Sequence, residues 1–164
     1  MATIRDDFDA LKRQVLRLKE ATGRLEERNK QLEKEIHQLK LRGAQSQAGE
    51  FDDLIENVDA GVACLIVKTD QEMDPPMLRS LTDKLKKPNL AMFLMDPRGF
   101  CVAASGDSVR DRIPAREMIK VATGVAGGSG GGRPEMAQGR VEDPSKFPDI
   151  KQKEKEFITE KAKG

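Results

Sequence analysis

Leucine returns every seventh residue near the start of the chain, at Leu11, Leu18, Leu25, Leu32 and Leu39, with Ile4 one step earlier. Taken as d positions, these leave Met1, Phe8, Val15, Thr22, Asn29 and Ile36 at a. The alternating three- and four-residue spacing continues for about five heptads, a pattern that keeps one apolar seam on a slightly underwound helix. No proline interrupts it, and Gly23 is its one weak point, at about 1 kcal/mol against alanine. Residues 1–42 are therefore read as a coiled-coil helix roughly 55–60 Å long at about 1.5 Å per residue. Gly43 and the polar run after it mark its stop, so 43–49 reads as a linker.

The seam also specifies a partner. Asn at an a position with Leu at d favours a parallel pair, because two Asn side chains bond across the seam in that state. Between neighbouring helices, the g-to-e pairs Asp7–Lys12, Arg28–Glu33 and Glu35–Lys40 are all of opposite charge. The expected interface is Ile4, Phe8, Leu11, Val15, Leu18, Thr22, Leu25, Asn29, Leu32, Ile36 and Leu39, joining two copies of the chain. The alternative is one arm of a helical hairpin. His37 falls at an exposed b or c position, as a solvated side chain.

Composition narrows the function. Lys and Arg number 29 against 28 Asp and Glu, so a polyanion site must be local. Trp and Tyr are absent and Phe numbers six, which leaves stacking platforms for single-stranded bases short of rings. Cys64 and Cys101 lie in apolar runs and read as buried free thiols. With His37 as the one histidine and no Cys-x-x-Cys, no zinc cluster is legible. No cofactor is called for. The start of the chain lacks the basic and apolar segments of a secretory signal, and no apolar run reaches membrane-spanning length. The expectation is a cytoplasmic protein with no membrane contact.

Residues 50–164 read as a small α/β domain. "EFDDLIENV" (50–58) has the pattern of a short amphipathic helix. "GVACLIVKT" (61–69) has the continuous apolar character of a central strand. Asp74 and Pro75 open a helix with Met77, Leu78, Leu81 and Leu85 on one face. "NLAMFLM" (89–95) and "FCVAAS" (100–105) form a hairpin about the "DPRG" turn. A helix over 114–125 precedes the glycine run, 135–141 reads as a short edge strand, and 148–162 as a charged terminal helix. The order is β-α-β-β-α-β-α, a mixed sheet with a Gly-rich loop and helices packed mostly on one face.

"GGSGGGRPEMAQG" (127–139) is the segment that bears on function. Glycine loses more backbone entropy on folding than any other residue, so such a run is either a linker or a backbone meant for close approach. It lacks the Gly-Lys-Ser/Thr of a phosphate loop and follows a helix instead of opening one. No histidine is left to serve a serine or cysteine as general base, so catalysis is not expected.

Gly132, Arg133, Pro134, Glu135, Met136, Ala137 and Gln138 match in order a signature of the C-terminal globular module of alanyl-tRNA synthetases. The region around it, residues 50–142, resembles that module, and the zipper resembles the family's helical connector. A related module follows the catalytic domain of Asp-His-His phosphoesterases, where Gly-Gly-Gly-His is commoner and Arg-Pro is missing. The synthetases' aminoacylation, tRNA-recognising helical and editing domains have no counterpart here. The resemblance implies a dimeric, non-catalytic module that binds the outer corner of tRNA, that for alanine first. It implies contacts from Gly127, Gly128, Gly130, Gly131, Gly132, Arg133 and Gln138, with Arg140 beside them. Two other readings stand: a dimerisation adaptor for a protein partner, and the substrate-binding half of a nucleotide phosphoesterase.

Overall fold

The structure, a computed structural model, describes residues 3–164, the side chains of residues 44 and 45 excepted. Two compact units are present, residues 1–42 and 43–164. The first consists of α1 alone, which spans Ile4–Asp52 and so runs on into the second. Within 4–42 the seam faces solvent in the single chain: Ile4, Phe8, Leu11, Val15, Leu18, Leu25, Ile36 and Leu39 are all more than half exposed. Thr22 turns its hydroxyl back to the Leu18 carbonyl at 2.8 Å. Met1, the first a position, lies outside the described residues.

The stop expected at Gly43 does not occur, and 43–49 is helix. A glycine costs a helix only about 1 kcal/mol, and the turns beyond it are anchored: Phe51 is buried in the domain core with Ala48 against it. Of the separate helix expected over 50–58, residues 50–52 are the end of α1 and the rest is not helical. After Asp52 the chain turns into β1 (Glu56–Asn57), antiparallel to β2 (Ala63–Lys68). The turn between them has Ala60 and Gly61 at positive φ, with the Asp59 carboxylate accepting from the Ala60 N–H.

The remaining elements are α2 (Pro75–Leu85), β3 (Leu90–Met95), β4 (Phe100–Ser105), α3 (Ala115–Ala126), β5 (Gly128–Gly132), β6 (Met136–Val141), a single 3-10 turn at Pro144–Lys146 and α4 (Phe147–Lys163). The sheet order is β1-β2-β3-β4-β6-β5. Only β2 and β3 are parallel, joined through α2. β3, buried at every position, is the sheet's centre.

Alternation along the strands divides the core into two layers. Cys64, Ile66, Phe93, Met95, Cys101, Ala103, Ala137 and Val141 face α3 and α4. Leu65, Met92, Leu94, Val102 and Ala104 face α2 and the end of α1. Helices therefore cover both faces, not mostly one, because β2 to β4 are apolar on both sides and each side needs a cover. Both cysteines are free thiols buried in the first layer.

The Gly-rich segment is not a loop. Gly128–Gly132 is the edge strand, and 136–141, expected at the edge, lies inside it between β4 and β5.

Candidate nucleic-acid interface

The hairpin of β5 and β6 is built from inside. Gly127 ends α3 with φ 72°. Gly130 faces Gly139 across the strand pair, and a Cβ at Gly130 would lie 2.6 Å from both Gly139 Cα and Ile119 Cγ2. The missing side chains thus let α3 press Ile119 onto the sheet. Gly132 is similarly closed, a Cβ there falling 2.5 Å from Ala137 Cα. Gly131 differs, since nothing lies within 4 Å of where its Cβ would stand. Of the glycines read as a contact surface, Gly127, Gly128, Gly130 and Gly132 are demanded by the fold, and Gly131 is the one that presents bare backbone to open space.

Arg133-Pro134-Glu135 is tied down in the same way. The Pro134 carbonyl accepts from Ala115 N–H, supplying one of the partners that the first turn of α3 lacks. The Glu135 carbonyl accepts from Ser105 N–H, and Arg133 N–H donates to Met136 O. Main-chain bonds fix the turn and leave the Arg133 side chain 84% exposed, 3.9 Å from the Glu135 carboxylate.

Gly131, Gly132, Arg133 and Gln138 come together around a shallow depression, completed by Glu135, Met136, Ala137 and Arg79 of α2. Gly128 and Arg140 line a second one with Ser129, Val141 and Glu142. Register relates the two: Gln138 stands opposite Gly131, and Arg140 opposite Ser129. On the other side, Val102 pairs with Gln138 and Phe100 with Arg140. These residues share the sheet face on which α2 lies. α2 packs chiefly on β4 and β3, while Gln138, Arg140 and all of β5 are exposed, so that half of the face is uncovered.

Sequence reasoning missed Arg79, Arg98 and Phe100. The guanidinium carbons of Arg98 and Arg140 lie 5.1 and 4.9 Å from the centroid of the Phe100 ring. Arg98 is held by the fully buried Asp96, its Nε 3.0 Å from Oδ2. Asp96 also accepts from the N–H groups of Met73, Arg98 and Phe100, which fixes the β3–β4 turn. The "DPRG" turn was legible; that its arginine would meet an arginine from 42 residues later needed β6 beside β4. Among the described residues no cluster of His, Cys, Asp and Glu is placed to hold a metal ion, and no helix is long and apolar enough to cross a membrane.

Known proteins resemble this chain over most of its length. The alanine–tRNA ligase of Alkaliphilus oremlandii (strain OhILAs) is 32% identical over 162 residues, 95% of this chain but only 18% of that enzyme. The crystal structure of the C-Ala domain from Aquifex aeolicus alanyl-tRNA synthetase superposes with a TM-score of 0.59 at 29% identity, covering 64% of this chain and 97% of that one. RecJ from Thermus thermophilus, solved with Mg2+, shares the fold at 18% identity and a TM-score of 0.57, over 77% of this chain and 19% of RecJ. Residues 59–160, more than half of the chain, match the DHHA1 domain, and the chain belongs to that family.

Proposed function

We propose that residues 43–164 form a non-catalytic RNA-binding module that takes the outer corner of a tRNA, and that the heptad helix joins two copies of it. The observation that carries this is the β5–β6 hairpin, where the bare backbone of Gly131 lies beside Arg133, Gln138 and Arg79 on an uncovered face. Backbone N–H groups and arginine are what phosphate and sugar contacts use, and a site without side chains admits a bulky folded shape. Similarity to the C-Ala domain, taken from a tRNA synthetase, supports tRNA as that shape, and the Alkaliphilus oremlandii relative supports the tRNA for alanine. The exposed apolar seam of 4–42 supports pairing of two chains.

Net charge near zero means that few phosphates are engaged and that affinity falls gently with salt. Binding to tRNA and to a plain RNA hairpin of equal length is the test, with Gly131→Val and Arg133→Ala beside the wild type. Arg133→Ala is expected to weaken tRNA binding about tenfold, the size of one charge-assisted hydrogen bond. Gly131→Val is expected to weaken it with the fold intact. Equal affinity for the two RNAs, or folded variants that bind like wild type, would move the site elsewhere on the molecule.

A further inference from the structure

Two arginines meet Phe100, and they are not equivalent. Arg98 is already neutralised, with Asp96 at 3.0 Å and Glu72 at 3.8 Å. Arg140 has no carboxylate within 4 Å among the described residues, and its side chain is exposed. Its nearest acidic neighbour along the strand is Glu142, which lines the same depression and whose carboxylate lies toward Gly127. A guanidinium over a phenyl ring is attracted by the ring's negative face, and lying there it keeps its in-plane N–H fork for an oxyanion. Phe100 thus holds Arg140 extended and oriented before any ligand arrives, which lowers the entropy cost of binding.

Its surroundings suit a chain of phosphates. Ser129 stands opposite Arg140 on β5, and Gln138 lies two residues back on the same face, about 7 Å away along the strand. Arg133 lies beyond, past the Met136 end of β6. Polar groups therefore follow one another along the strand on a surface that Gly131 keeps flat.

We infer that Arg140, backed by Phe100, grips a phosphodiester of bound RNA on the uncovered half of the sheet, a second attachment point separate from the Arg133 turn. The inference rests on the RNA-binding reading, and it gives RNA a path along β6 instead of a touch at the hairpin tip alone.

The test titrates the full-length chain with transcribed alanine tRNA across a series of potassium chloride concentrations. Arg140→Gln is expected to weaken binding about tenfold and to flatten the log–log salt slope by about 0.7 to 0.9, the value of one lost phosphate contact. Arg140→Lys restores the slope but not the full affinity, since lysine keeps the charge without the fork. Phe100→Leu weakens binding several-fold at unchanged slope. A purely packing role for Arg140 would alter thermal stability and leave the slope alone. Wild-type affinity and slope in Arg140→Gln would overturn the inference, even if Arg133→Ala binds weakly and the hairpin reading stands. Loss in Arg140→Gln with none in Arg133→Ala or Gly131→Val would uphold it and remove the hairpin tip from the site. A wild-type chain that does not bind tRNA would end both.

Discussion

Glu154 sits on α4 in line with Ile150 and Ile158, fully buried, and neither of its carboxylate oxygens has a hydrogen-bond partner among the described residues. Loss of water pushes its carboxyl up to about 9, against an ordinary value of 4.5. Its titratable neighbour is the Cys101 thiol, itself pushed up to about 12, first by burial and then by Glu154. The sign follows from linkage: unfolded chains ionise Glu154 above pH 4.5 while folded ones keep it protonated. The contribution of Glu154 to stability is thus whole at low pH, drains away as pH rises, and levels off above about 9. Glu154→Leu, of similar volume, should remove that slope. Its advantage in denaturant unfolding should grow by on the order of 4 kcal/mol between pH 5 and pH 8, from about 1.4 per pH unit. An advantage independent of pH would mean the carboxyl is charged in the folded state. A second contrast belongs to neighbouring glycines. Gly130→Val forces a side chain into Gly139 and Ile119 and should cost on the order of 3 kcal/mol or more, whereas Gly131→Val meets open space. Thermal melts of the pair should separate widely, and coincident melts would contradict this packing.

Elements differed in how far they could be read. The leucine heptads made α1 plain, because a 3.5-residue period has one structural solution over that length. Its end was hidden: Gly43 reads as a stop unless Ala48 and Phe51 are known to be anchored in the domain. β2, β3 and β4 declared themselves through apolar runs between turn residues. β5 could not, since glycine is depleted in strands and carries no alternation; its strand is imposed by β6 on one side and Ile119 above. The candidate site suffered for that reason. Arg133 and Gln138 were visible through their motif, but Phe100 and Arg140 became neighbours only once β6 lay beside β4. In α1 the prediction concerns the polar a position. In the proposed dimer, Asn29→Ile should raise the stability of the paired helix and loosen its order toward trimers or mixtures, because a buried Asn pair trades stability for a defined state. Sedimentation equilibrium reads this directly. A wild-type chain that stays monomeric at micromolar concentration would show that the seam does not pair.

At the scale of the whole chain, 29 basic and 28 acidic residues cancel, so any attraction for RNA comes from placement alone. Arg133 and Arg140 stand at the β6–β5 end of the sheet, Arg79 of α2 shares the Arg133 depression, and the apolar mass lies at the sheet's centre. Burial falls away from that centre: β3 is covered at every position, β6 at two of six, and β5 and β1 at none. Local opening costs least where few apolar contacts and few protected backbone bonds resist it. The β5 amides, like those of β1 at the opposite edge, are thus expected to trade their protons with solvent well before those of β3. A ligand seated along β6 would stiffen the part of the molecule with most freedom left to lose. Some of its binding energy would go into quieting that edge, and affinity measured for such a ligand would report the hairpin's own restlessness as well as its contacts.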